Sequence, residues 1–149
     1  MPKFVHLANP NNSVVVTQPR VFAATSLAER VSIECLATLR DSRYGLGQRI
    51  GYRTGRGKNT SPETRLSYHT DGTEFMRQSM SGIIPNTLFM DEAHGFSVQT
   101  EMLAMIALHH QRAMKIVIMS ATLDPEIFRE YYRGISTDIP LIQIPGRTF

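Results

Sequence analysis

Two adjacent carboxylates, Asp91 and Glu92, stand directly behind the apolar run Thr87-Leu88-Phe89-Met90, and Ala93 and His94 follow them. Like charges at the mouth of a buried strand repel one another and draw water to the edge of the core, so the pattern is costly as scaffolding. It becomes useful if a divalent cation and a phosphate chain fill the space beyond. One acid would then hold the cation, and its neighbour would orient or deprotonate an attacking water. An acidic surface turn is the plainer reading, and the tetrapeptide alone leaves both open.

The elements that must position these acids follow from hydrophobic spacing. Residues 13–16, Ser-Val-Val-Val, form a β-branched run suited to a strand buried on both faces. Val21, Ala24, Ala28, Val31, Cys35 and Leu39 recur at helical spacing, and residues 44–60 read as a strand or hairpin running into a basic loop. Residues 66–69 are a short strand, 73–80 a helix and 87–90 the strand before the acids. Val98, Met102, Met105 and Ile106 mark the inner face of another helix, with Met102, Met105 and Met119 as core fillers. Residues 115–119 form a further buried strand. Asp124-Pro125 opens a helix that runs to Arg133 before Gly134, with Tyr131-Tyr132 half-buried at its end. Residues 141–144, Leu-Ile-Gln-Ile, read as a last strand.

Strands alternating with helices predict an α/β fold with a mostly parallel sheet and right-handed crossovers. Four polar clusters then acquire a common location. Thr17-Gln18-Pro19-Arg20, Thr70-Asp71-Gly72, Asp91 to His94 and Ser120-Ala121-Thr122 each begin where an apolar strand ends. A parallel sheet gathers all four at its carboxyl edge, where open α/β folds bind ligands.

Composition narrows the setting. A length of 149 residues with 42% hydrophobic and 19% charged content suits one soluble domain with its own core. No apolar run reaches membrane-spanning length, and the first residues lack a signal peptide's apolar stretch. The single cysteine, Cys35, excludes an internal disulfide and fits a reducing, intracellular compartment, cytoplasmic or nuclear. A net charge of +3 and a pI near 9.3 allow a polyanionic partner without demanding one. Arg40, Arg43, Arg49, Arg53, Arg56, Lys58 and Arg65 are clustered, as a solvated loop or a phosphate-tracking surface. His109-His110 has no third ligand at metal spacing and reads as a surface pair.

The ordered set of motifs resembles the first RecA-like domain of DEAH-box helicases, in helicase superfamily 2, over residues 13–149. Asp91-Glu92-Ala93-His94 is similar to the family's Walker B motif, and Ser120-Ala121-Thr122 to the motif that couples hydrolysis to strand separation. Thr17-Gln18-Pro19-Arg20 and Thr70-Asp71-Gly72 resemble its two nucleic-acid-contacting motifs, and this pair points to the RNA branch rather than the DNA helicases. Gly51-Tyr52-Arg53 sits where the family has a comparable strand. The core match covers 13–145, and Gly146-Arg147-Thr148-Phe149 resembles the join to a second RecA-like domain.

The resemblance implies ATP and Mg²⁺ as ligands and RNA, with DNA as the alternative, as partner. Asp91 would hold Mg²⁺ through water, with Glu92 beside it activating the attacking water, and His94 would relay the nucleotide state. Ser120, Ala121 and Thr122 would couple that state to domain closure. Thr17, Gln18, Pro19, Arg20, Thr70, Asp71 and Gly72 would form the nucleic-acid contact, along the phosphodiester backbone.

Three departures qualify it. The family's glycine-rich phosphate loop belongs a strand and a helix upstream of Thr17, yet sixteen residues precede Thr17 and residues 1–12 contain no glycine. Gly57-Lys58 is followed by Asn59 and preceded five positions earlier by Tyr52, so it does not substitute. The second RecA-like domain, with its arginine finger, is not in these 149 residues, and Gly95-Phe96 replaces the family's usual charged pair. The expectation is a partial helicase domain, inactive by itself. The alternatives are a truncated remnant acting as an RNA-binding or interaction module, and a fragment of a superfamily 2 DNA helicase.

Overall fold

The computed structural model describes residues 1–95, 97–110, 112–121 and 140–144. Among these residues six strands form one sheet: β1 (Val14–Gln18), β2 (Ile50–Thr54), β3 (Gly57–Asn59), β4 (Leu66–Thr70), β5 (Thr87–Met90) and β6 (Lys115–Ile118). Their order is β3-β2-β4-β1-β5-β6, parallel throughout except for β3, which returns antiparallel on β2. Helices α1 (Pro2–Ala8), α2 (Val21–Leu39), α3 (Asp71–Ser81) and α4 (Val98–His109) flank it.

β1 is the centre of the core because its β-branched side chains alternate between two apolar layers. Val14 and Val16 pack with Ala24, Ala28, Val31 and Cys35 of α2 and with Leu66, Tyr68 and Phe89. Val15 points the other way, with Leu88 and Met90, onto Leu103, Ala104 and Ala107 of α4. All five β1 residues are buried, as expected of an inner parallel strand. Helix α1 has no counterpart in the sequence reading. Pro2 at its first positions favours helix entry, Lys3 pairs with Glu34 of α2 at 2.8 Å, and His6 is fully buried edge-on to Tyr44.

Several expectations need correction. The basic stretch around Gly57-Lys58-Asn59 is the strand β3 rather than a loop. It lies so close to β2 that a Cβ at Gly51 would collide with the Asn59 carbonyl oxygen. Helix α3 begins at Asp71, two residues earlier than the spacing predicts. In α4 the expected inner face is the outer one: Val98, Met102 and Met105 are exposed, and Leu103, Ala104 and Ala107 are buried. That helix is apolar nearly all round, so periodicity could not choose a face. The two alanines permit the closer approach to the sheet. Met119 is only half-buried, and β6 has its inner residues half-exposed because nothing described pairs with its outer edge. Leu141, Ile142 and Ile144 are exposed and outside any strand, since no described strand offers them a ladder. The helix expected at 124–133, Tyr131-Tyr132 within it, and the join at 146–149 lie outside the described residues.

The reversed face of α4 is directly testable by urea denaturation. Leu103→Ala should cost about 2–5 kcal/mol of stability, while Met105→Ala should stay within about 0.5 kcal/mol. The opposite ranking would restore the methionine face as the inner one.

Candidate functional site

Because β4, β1, β5 and β6 are adjacent and parallel, their carboxyl ends share one edge. Three of the four polar clusters are described there in full, and the fourth as far as Ala121. Thr122 lies outside the described residues. Backbone bonds stitch the ends together: Asp91 N–H donates to the Thr17 carbonyl at 3.1 Å, and Ala93 N–H to the Met119 carbonyl at 3.2 Å.

The acidic segment is held from both sides. Gln18, itself buried, donates from Nε2 to Asp91 Oδ2 at 2.5 Å, and Glu92 N–H donates to Asp91 Oδ1 at 3.0 Å. The second bond bends the chain sharply. Glu92 takes a left-handed backbone, φ 56°, which for a residue with a Cβ costs on the order of 1–2 kcal/mol. The bend leaves the Glu92 side chain half-exposed, with Oε2 3.3 Å from His94 Nε2. His94 Nδ1 in turn lies 3.1 Å from Ser120 Oγ. Asp91, Glu92, His94 and Ser120 are thus one connected polar group. Its carboxylates are hard oxygen donors, and a site with few protein ligands suits a cation that keeps most of its water, as Mg²⁺ does.

The neighbouring clusters divide by exposure. Thr17, Gln18 and Asp71 are buried, whereas Pro19 and Arg20 are exposed and Thr70 and Gly72 half-exposed. Asp71 sits in the first turn of α3, and its Oδ2 accepts a bond from the Thr100 hydroxyl of α4 at 2.8 Å. Burial raises its pKa, against the pull of the Thr100 and Thr17 hydroxyls. Thr70, the α3 N-cap, has its hydroxyl 2.7 Å from that of Thr73.

Behind this turn lies a charged network that the motif reading missed. Glu74, fully buried, receives Arg77 Nε at 2.8 Å, Arg77 Nη2 at 2.6 Å and Gln78 Nε2 at 2.8 Å, with His69 Nδ1 at 2.6 Å. Burial opposes ionisation of Glu74, but the hydrogen bonds from His69 and Arg77, with the charge of Arg77, outweigh it and hold its pKa at about 2. Burial lowers the pKa of His69, more than Glu74 raises it. A neutral imidazole donating Nδ1–H to an ionised carboxylate reconciles the two. No periodicity rule joins residues five apart across a strand end and a helix start. Thr100 was missed for the same reason: its partner is 29 positions away.

Of the basic stretch, Arg43 is forked onto Asp41, Arg49 donates to the Pro10 carbonyl, Arg53 to Thr60 and Arg65 to the Pro62 carbonyl. These four are tied down at least in part. Arg56 and Lys58 stand exposed on the β2–β3 hairpin.

No protein-family profile matches the chain. It is 32% identical over 145 residues to the human ATP-dependent RNA helicase DHX33, covering 90% of this chain and 19% of that protein. It is 35% identical over 141 residues to Saccharomyces cerevisiae YLR419W, which carries the name of an ATP-dependent RNA helicase, covering 91% of this chain and 9% of that one. The chain therefore spans less than a fifth of these relatives. Among solved structures it is similar to the E. coli DExH-box NTPase HrpB, with a TM-score of 0.68, 28% identity, and coverage of 88% of this chain and 16% of that one.

The Glu74 network should register in acid stability. Its depressed folded pKa means stability that is complete above the unfolded carboxylate's value near 4.5 and is lost as pH falls toward about 2. Glu74→Gln strands the Arg77 guanidinium and should cost about 3 kcal/mol at pH 7. It should also flatten the stability loss between pH 5 and 2. Denaturation midpoints across that range check both, and an unchanged acid slope would show that Glu74 is not the titrating group.

Proposed function

We propose, on the premise that this chain is homologous to DEAH-box RNA helicases over nine-tenths of its length, that it forms part of the first RecA-like domain of an ATP-dependent RNA helicase. The observation that carries the reading is the single edge on which Asp91, Glu92, His94 and Ser120 form one connected polar group beside Arg20, Thr70 and Gly72.

In this reading Asp91, oriented by Gln18, would hold Mg²⁺ through water, and Glu92 would position and deprotonate the attacking water. Bound Mg²⁺ would neutralise charge on the terminal phosphates. His94 and Ser120, with Ala121 and Thr122 behind them, carry the state of the site toward a second RecA-like domain, which closes the cleft. Arg20 and the backbone at Thr70 and Gly72 grip phosphodiester oxygens, giving affinity without sequence preference. Thr17 and Gln18 act from beneath, because their side chains are buried. RNA is favoured over DNA by the Thr-Gln-Pro-Arg and Thr-Asp-Gly pair and by the RNA-helicase names of both relatives.

The 149 residues contain no Gly-Lys-Ser or Gly-Lys-Thr to cradle the β- and γ-phosphates. By themselves they should bind RNA without hydrolysing ATP. Titrating the chain with a labelled single-stranded 12-mer RNA should give salt-sensitive binding. Arg20→Ala should reduce the slope of log affinity against log salt by about 0.7. Absence of binding at low salt defeats the nucleic-acid reading, and tighter binding of the matched DNA defeats the RNA preference. Mg²⁺-dependent ATP turnover that Glu92→Gln abolishes would overturn the expected inactivity.

A further inference from the structure

The amino-terminal turns of α3 and α4 lie side by side, joined by one buried carboxylate. Asp71 is 4% exposed, too deep to touch a phosphate, and its Oδ2 accepts the Thr100 hydroxyl at 2.8 Å. Thr100 is itself held: its N–H donates to Ser97 Oγ at 3.1 Å, and the two hydroxyls are 2.7 Å apart. The contact extends one residue further, since a Cβ on Gly72 would meet Gln99 Cγ at 3.5 Å. Asp71 Oδ1 and the neighbouring cluster's Thr17 Oγ1 are buried with no hydrogen bond of good geometry, although the Thr17 hydroxyl still pulls on the Asp71 carboxylate. A carboxylate left half-satisfied in the core edge is a poor way to stabilise a fold. Its one strong bond spans two helices, at the point where the chain leaves β4 for the site.

We infer that Asp71 and Thr100 are a positioning pair: their hydrogen bond fixes the Thr70–Gly72 turn against the first turn of α4 and so presents the turn's backbone to nucleic acid. The inference rests on the nucleic-acid reading of that turn. The pair also sits close in sequence to the acidic segment, since α4 begins three residues after Gly95. Asp71 therefore acts through Thr100 rather than by touching RNA.

Three Thr100 variants of the 149-residue chain test this by RNA titration, with the amide resonances of Gly72 and Thr73 as a second readout. Thr100→Val should weaken RNA binding about fivefold, the loss of one hydrogen bond, with the salt slope unchanged because no cationic contact is removed. Thr100→Ser, which keeps the hydroxyl, should restore the affinity. Thr100→Val should move the Gly72 and Thr73 resonances, and Thr100→Ser should leave them in place. If Thr100→Val does not fold, Thr100→Ala, which adds no methyl group against the carboxylate, takes its place with the same expectations. Unchanged affinity in the valine variant, or equal loss in the serine variant, overturns the inference. If the unaltered chain binds no RNA, the proposed function fails separately, and the resonances still decide: no movement in Thr100→Val overturns the positioning role.

Discussion

β1 is hydrogen-bonded on both sides to parallel partners, in a register that sets Thr17 opposite His69 on β4 and Met90 on β5. Parallel neighbours need crossovers that return the chain to the same starting edge. Every strand in the group must therefore finish on the opposite edge, wherever its helix lies. Val14 to Val16 use their side chains to fill both apolar layers, so β1 cannot slip by one residue without exchanging those layers. That lock fixes where Thr17 and Gln18 emerge. Through Gln18 it fixes Asp91, and through the Thr17 carbonyl it fixes the turn after β5.

The edge is built from polar groups that the core has to tolerate. Asp91 is steadied by Gln18, Asp71 by Thr100, and Glu74 by Arg77, Gln78 and His69. Each is a carboxylate drawn out of water and held by a partner from another strand or helix, or from the next turn. Such arrangements add little net stability compared with apolar packing. Their geometric demand is strict, because a carboxylate that drifts from its donors pays the full desolvation penalty. The nucleotide and phosphate contacts proposed for this edge would need that strictness, since a misplaced oxygen forfeits more than a misplaced methyl group. The apolar layers beneath carry the stability.

The alternation of strands and helices, the four polar clusters and their common edge could be read from the residues, because each rests on local spacing: β-branched runs, a three-and-four helical period, and polar residues at strand ends. Four things could not. The inner face of α4 was hidden by apolar residues on every side, so only packing against Leu88 and Met90 could choose Ala104 and Ala107 over Met102 and Met105. The His69–Glu74 and Asp71–Thr100 bonds join residues that no repeat relates. β3 was masked by glycines and charges that argue for a loop, although pairing with β2 makes it a strand. The division of the motif residues into buried and exposed was likewise beyond the sequence: Thr17 and Arg20 belong to one motif yet face opposite environments.

The contacts from Ser120 to Glu92 form a row along the edge. His94 stands between the two: Nδ1 lies 3.1 Å from the Ser120 hydroxyl oxygen, and Nε2 lies 3.3 Å from Glu92 Oε2. With its left-handed backbone, Glu92 sets its carboxylate beside His94 while its side chain stays half-exposed. These side chains join the turn after β5 to the turn after β6, as the bond from Ala93 N–H to the Met119 carbonyl joins them through the backbone. A shift at either strand end is therefore felt at the other.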